Sequence, residues 1–544
     1  MPPTAPALWL AWVVALALEL GLAAGLPLPP TRDQLSLELG LGLVLGALHG
    51  GLARGLLASP AWPGGLMLGV AAVRHLDLLP GLGLGLGLAL GLLGAARLPR
   101  GGVVVGVLAS VLGVLGARAV AVSERAPALW PKRLSAELWR ALHPLSSGAQ
   151  HPGLVVITVD TLRWDAVPRM QSWQRLARRG LVWERAMSTA SWTAPAMASA
   201  WTGQAPADHG CGVAAAGRTD PIRAEVPVLA EQLWAGGTRT AAFVSNPYVG
   251  GDLGFDRGFS EWHHFGEDTP TELLFAGPAH LAPRDASVDS AVVSEAREWL
   301  RSAPDEGFLL WIHLVGAHLP YRHTDLPLAI AVDSPGDIRD GGLDDSPARR
   351  RAVRRAYQGE VAVIDTLIGG LLDDLEVRGF AGSIVFTSDH GEEFWEHGGF
   401  EHGHSHHGEV LDVPLVVVAP GVPPAARTDL ASLVDIAPTL RGIAGLPVSG
   451  VDLRQPVPDD RIATAAGNLY LPHASSARQG SERVIVTQDV SLYDLSRDSA
   501  EQQPTLVREG SALVSAALGA RPAVSDGGGL QLDPEALRAL GYID

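Results

Sequence analysis

The chain has 544 residues, with 41 Lys plus Arg against 58 Asp plus Glu, a net charge of −17 and a single cysteine, Cys211. Domains of roughly 100–200 residues are usual, so this length exceeds one small domain. The acidic balance argues against a nucleic-acid binder, which needs a basic face for phosphates, and one cysteine excludes both an intrachain disulfide and a Cys-rich zinc site.

From Met1 to about Val122 charges are sparse, and Leu, Gly, Ala and Val dominate. A membrane-spanning helix takes about 20 mostly apolar residues. Ala7–Leu28, Leu35–Leu57 and Gly101–Val122 supply that length. Trp62–Val73 and Leu79–Ala96, divided by Arg74, His75 and Asp77, read as two more spans. The basic-residue rule puts the loops carrying Arg54, Arg97 and Arg100 on the cytoplasmic side. About five spans then occupy 1–122, in a multi-pass cell-membrane arrangement with everything after Ser123 extracytoplasmic. Residues 123–150, interrupted by Pro127, Pro131 and Pro144, read as a connector.

Short buried-type runs follow: Leu154–Val159, Ala241–Val244, Phe308–Leu314, Ile384–Thr387 and Leu415–Ala419. Helical patterns separate them at Met170–Arg179, Val226–Ala235, Val288–Arg301 and Ala348–Glu376. This alternation predicts an α/β fold around a mostly parallel sheet. Ligands in such folds bind at the carboxyl ends of strands. Asp160 and Thr161 follow the first run directly, and Ser388, Asp389 and His390 follow the Ile384 run, so they converge on one sheet edge. Pro195 suits the first turn of a helix, which places Thr193 at a helix N-terminus, where free N–H groups favour an anion. Two carboxylates, a hydroxyl and an imidazole (Asp160, Asp389, Thr193 and His390) suit one divalent cation: calcium, manganese, magnesium or zinc. A hydroxyl on such a cation loses its proton more easily and becomes a nucleophile. His406 and His407 read as solvated side chains or adventitious metal binders, Trp192 as packing, and Tyr357 and Asp365 as packing and capping contacts.

The ordered motifs run from Val155-Val156-Ile157-Thr158-Val159-Asp160-Thr161 through Thr193-Ala194-Pro195-Ala196-Met197 and Asp208-His209-Gly210 to His318-Leu319-Pro320-Tyr321. They continue with Ser388-Asp389-His390-Gly391-Glu392, Glu396-His397-Gly398, His402-Gly403-His404-Ser405, Asp435-Ile436-Ala437-Pro438-Thr439, Leu492-Tyr493-Asp494-Leu495 and the terminal Leu540-Gly541-Tyr542. In this order, from about Gly153 to the end, they resemble the sulfatases of the alkaline phosphatase superfamily. The resemblance implies an alkaline-phosphatase-like fold: a large mixed sheet flanked by helices over 151–445, then a smaller C-terminal subdomain over 446–544, here preceded by the transmembrane helical region. It implies that Asp160, Asp389 and His390 bind the metal and that Thr193 is the nucleophile. It further implies that His318 holds the substrate anion, and that His402 or His404 protonates the leaving group or holds the ester oxygen.

The chain departs from that pattern at four places. Thr193 stands where sulfatases carry a Cys or Ser that is oxidised to formylglycine, and Met197 replaces the motif's arginine, so formylglycine is not expected. Thr161 stands where a second metal-binding aspartate is common, and Gly316 where an aspartate often precedes the histidine. A threonine ester cannot release its group by the elimination open to a formylglycine hydrate; water or another acceptor must attack it. The expectation is therefore a membrane-anchored hydrolase or transferase acting on sulfate or phosphate esters, of lipid or glycan, through Thr193. The alternative is a catalytically silent domain that binds a glycan or lipid head group.

Overall fold

Six consecutive buried residues, Leu154–Val159, form the strand β1 near the middle of an eight-stranded sheet. The computed structural model describes residues 151–214, 218–265, 288–305, 307–319, 321, 346–470, 474–505 and 511–522. The spans expected over 1–122, the connector 123–150 and the terminal motif 540–542 lie outside them. Among the described residues no helix is long and apolar enough to cross a membrane.

The next strands are β2 (Leu181–Met187), the short pair β3 (Gly212–Ala214) and β4 (Arg218–Asp220), β5 (Arg239–Val244), β6 (Glu261–His264), β7 (Phe308–Leu314) and β8 (Ser383–Ser388). After them come another short pair, β9 (Glu393–Phe394) and β10 (Phe400–Glu401), then β11 (Asp412–Val418) and β12 (Ala425–Ala426). The large sheet runs β12-β2-β11-β8-β1-β7-β5-β6. Pairings from β8 through β1, β7 and β5 to β6 are parallel, whereas β11 is antiparallel to both β8 and β2. The sheet is therefore mixed.

Alternation along the strands divides the core in two. Leu154, Val156, Leu309, Trp311 and Val385 face one layer, packing with α2 (Thr193–Thr202), α3 (Leu229–Ala235) and α6 (Ile436–Ile443). Val155, Ile157, Leu310, Ile312 and Phe386 face the other, against α1 (Gln171–Ala177), α4 (Val288–Ser302) and α5 (Pro347–Val377). Each such aliphatic side chain taken from water contributes about 1.5–3 kcal/mol. Asp365 of α5 accepts from Gln171 N and Ser172 N, both at 2.8 Å, and so caps α1.

Beyond 446, Leu453 and Val457 still pack in the first of these cores. A four-stranded antiparallel sheet follows: β13 (Ala463–Ala466), β14 (Ser475–Gln479), β15 (Glu482–Val486) and β16 (Val490–Asp494). Helix α7 (Ala512–Gly519) covers it through Leu513 and Ala517. One fully buried residue of β15, Arg483, joins the two sheets. It pairs with Asp412 of β11 and, at 2.8 Å, with Glu501. Glu501 in turn accepts from Gly408 N at 2.6 Å.

Candidate active site

Helix α2 begins at Thr193 after Trp192, whose backbone is extended, and ends at Gly203, which takes a left-handed φ of 75°. All ten α2 residues are buried; the small side chains Ala194, Ala196, Ala198 and Ala200 let the helix lie close to its neighbours. Trp192 packs edge-on against Tyr248, with ring centroids 5.1 Å apart. The result is a hydroxyl at a helix start, where backbone donors lack intrahelical partners.

The carboxyl ends of β1, β5 and β8 meet that hydroxyl. Thr193 Oγ1 lies 3.5 Å from Asp160 Oδ2 and 3.3 Å from His390 Nε2. His390 Nε2 lies 3.5 Å from Asp160 Oδ1 and 3.4 Å from Asp389 Oδ2. His390 Nδ1 faces Gly391 O at 2.9 Å, which turns Nε2 towards the carboxylates. Thr161 takes a φ of 54°, unusual for a β-branched residue. Its N–H donates to Asp389 Oδ1 at 3.2 Å and its carbonyl accepts from Tyr357 at 3.0 Å, two bonds that hold the turn.

Both carboxylates are fully buried, and Asp160 Oδ1 and Asp389 Oδ2 have no hydrogen-bond partner. Burial first, and the charge of Asp389 second, raise the Asp160 carboxyl well above the usual carboxylate range. Two desolvated acids side by side cost several kcal/mol unless a cation compensates them. Ligands about 2.0 Å from a tetrahedral zinc lie roughly 3.3 Å apart, and those at about 2.4 Å around a six-coordinate calcium roughly 3.4 Å apart. The observed separations of 3.3–3.5 Å fit either ion. In a second acidic grouping, Glu393, His397 and Glu409, the side chains already have partners. His397 Nδ1 lies 2.6 Å from Glu409 Oε1, and Glu393 Oε2 lies 2.9 Å from His404 Nε2.

The histidine ring of His402 lies between those of His390, at 4.4 Å, and His318, at 4.9 Å. His402 Nδ1 is 2.9 Å from Glu392 Oε1, which orients the ring. Burial lowers the His318 imidazole to about 4, and its Nδ1 lies 2.6 Å from Leu319 O. His404 is not brought to this group. Gly403 takes a φ of 79°, and both ring nitrogens of His404 are committed, one to Glu393 and one to His402 O at 3.2 Å. His406 is buried, and His407 stacks on His397 at 3.5 Å and pairs with Glu501 at 3.3 Å. The expectation of a solvated side chain is therefore corrected for His406, which is buried, whereas His407 is half-buried.

The sequence reading missed three residues here. Asn246, after β5, donates from Nδ2 to Asp160 Oδ2 and to Thr193 Oγ1, the latter at 3.4 Å. Glu392 holds His402. His313 lies within β7, its imidazole among the carboxylates. The rule that singled out Asp389, a polar residue in the second place beyond a buried run, applies equally to Asn246. The space vacated at Gly316 is filled by Asp289 of α4, whose carboxylate accepts from Gly316 N at 2.7 Å and Val315 N at 2.9 Å.

Residues 152–446 match the sulfatase family pattern, more than half of the chain. The chain belongs to the sulfatase family. This sulfatase-family chain is 35% identical over 101 residues to arylsulfatase K of Xenopus laevis, covering 18% of the chain and 19% of that relative. It is 26% identical over 118 residues to a phosphoethanolamine transferase of Helicobacter pylori, covering 22% of each. The alignments therefore span only about a fifth of these relatives. Its fold matches that of the phosphonate monoester hydrolase of Agrobacterium radiobacter, with a TM-score of 0.53 and 19% identity, covering 68% of this chain and 94% of that one. Sulfatases and a phosphoethanolamine transferase are thus among the proteins similar to it in sequence, and the phosphonate monoester hydrolase shares its fold.

Proposed function

We propose that this chain is a membrane-anchored, metal-dependent hydrolase or transferase of sulfate or phosphate esters, with Thr193 as nucleophile and its catalytic domain extracytoplasmic. The observation that carries the reading is the Thr193 hydroxyl set 3.3–3.5 Å from Asp160 and His390 beside two unpartnered carboxylate oxygens. Asp160, Asp389, His390 and Thr193 would hold the cation. When bound, the cation supplies Lewis acidity, which favours the threonine alkoxide and offsets charge growing on the ester. Thr193 Oγ1 forms a bond to phosphorus or sulfur as the bond to the leaving oxygen breaks. His402, whose Nδ1 is held by Glu392, protonates the departing alcohol through Nε2, and His318 and the first N–H groups of α2 face the anion. Water or a second hydroxyl then resolves the threonine ester, giving hydrolysis or transfer. The apolar region 1–122 supports anchoring, and the phosphoethanolamine transferase relative supports a phosphate ester as substrate.

The test uses the full-length protein with calcium, manganese, magnesium or zinc in turn. Turnover of an aryl sulfate, an aryl phosphate monoester and an aryl phosphate diester is compared with that of Thr193→Ala. Diester turnover lost in the variant supports the threonine phosphoryl chemistry. Turnover retained by the variant sinks the nucleophile assignment, and no turnover with any metal moves the weight to a binding domain.

A further inference from the structure

One buried imidazole at the site has no role in the mechanism above. The parallel register pairs Thr158 of β1 with His313 of β7 and with Thr387 of β8. Side chains alternate along a strand, so residues 158, 313 and 387 share a face. Asp160 and Asp389, two positions on, continue that face. His313 therefore lies one step down the sheet from the carboxylates, on the same side as Trp311 and α2. It is fully buried.

The ring's orientation is set from behind. His313 Nδ1 lies 2.8 Å from Thr158 Oγ1, which also lies 2.9 Å from Trp311 Nε1 and 3.3 Å from Ile312 O. An indole N–H can only donate, and a threonine hydroxyl offers one donor and two acceptor positions. All three contacts are satisfied together when Thr158 donates to Ile312 O and accepts from both Trp311 and His313. His313 then carries its proton on Nδ1, and Nε2 is a bare lone pair. Nε2 has no hydrogen-bond partner; nor do Asp160 Oδ1 and Asp389 Oδ2. Ligand atoms of the three residues lie within 4.8 Å of one another. A lone pair facing two buried anions is unfavourable unless something positive lies between them.

We propose that His313 Nε2 is a further ligand of the cation held by Asp160 and Asp389, reaching it from the sheet side. This rests on the metal-dependent reading above. With His390 it gives the ion two imidazoles, a donor set that selects a transition ion such as zinc or manganese over calcium or magnesium. Thr158 is the positioning residue that fixes the tautomer.

Zinc-edge X-ray absorption of the full-length, zinc-loaded protein counts bound imidazoles directly. Two are expected in the wild type, and one would overturn the assignment. Titration of zinc and calcium into the metal-free protein gives the second readout. His313→Gln weakens zinc by at least about tenfold and leaves calcium binding where it was, while Thr158→Val weakens zinc less. Unchanged zinc affinity in His313→Gln also overturns the proposal. If that variant fails to fold, the wild-type imidazole count still decides. Zinc bound through one imidazole defeats only the role of His313; a wild type that binds no metal defeats the metal-dependent reading and the His313 assignment together.

Discussion

Replacing Asp160 by asparagine should make the metal-free protein more stable while destroying its response to metal. Asp160 is fully buried, its Oδ1 is unpartnered, and Asp389 lies beside it. Relieving a buried charge without a compensating partner recovers about 1–3 kcal/mol. The bond from Asn246 to Oδ2 changes from charge-assisted to neutral, which costs about 1 kcal/mol. The net gain is up to about 2 kcal/mol, or up to roughly 2–3 °C in Tm for a domain of this size. Because the Asp160 carboxyl is raised in the folded state, its penalty is absent below the ordinary carboxylate range near about 4. The penalty grows as pH rises through the folded value, so the advantage of D160N appears near neutrality and vanishes in acid. Saturating metal reverses the order, since a ligand at about 100 times its Kd stabilises the wild type by about 2.7 kcal/mol. Thermal melts with chelator and with zinc, at neutral pH and near about pH 4, read all four corners. A D160N protein that melts below wild type even under chelator would show that the carboxylate has a compensating partner, and the cation argument would fail.

Glu392→Gln keeps the shape of the pocket but removes the carboxylate 2.9 Å from His402 Nδ1. The expected loss in kcat is roughly 10- to 100-fold, larger for alkyl than for nitrophenyl esters, because only the former need a protonated leaving group; equal losses on both would exclude that role for His402. Burial alone would lower the His397 imidazole, but Glu409, aided by Glu501 O and Glu393, raises it to about 9. Its stabilisation is then complete below about 6.5 and lost as pH rises through about 9. Solvent screening at a half-buried pair limits this to roughly 1–2 kcal/mol, seen as a falling denaturant midpoint across that window and a flat one in His397→Gln. Gly316→Ala places a Cβ against Asp289 Oδ2 and should cost about 1–3 kcal/mol; an unchanged melting temperature would mean that the Asp289 turn has slack.

Much of the scaffold was readable because its signals are local. The continuous apolar runs Leu154–Val159 and Phe308–Leu314 coincide with β1 and β7, since strands buried on both faces leave no polar alternation to blur their ends. Thr193 begins α2, as the following proline predicted. What was missed depends on pairing between distant strands. His313 is one polar residue inside an apolar run, and only the register of β7 against β1 puts it under Asp160. The choice between His402 and His404 turns on the left-handed backbone of Gly403, which a His-Gly-His string does not reveal. The burial of His406 depends on a sheet that arrives some sixty residues later in the chain.

The Arg483 linkage bears on how this chain can be cut. The family match ends at residue 446, which invites trimming there. Such a cut would remove Leu453 and Val457 from the main core and Arg483 from Asp412. Asp412, itself fully buried, would keep Arg185 at 2.6 Å, but that partner is only partly buried. The turn at Gly408 would also lose Glu501. Breaking a buried ion pair on one side costs about 3–5 kcal/mol, a large share of what holds a domain folded. The end of the recognisable family pattern is thus not a place where the polypeptide can be divided. The described residues beyond 446 pack into the same fold although the family signature does not reach them, and a shortened, inactive protein would say nothing about Thr193.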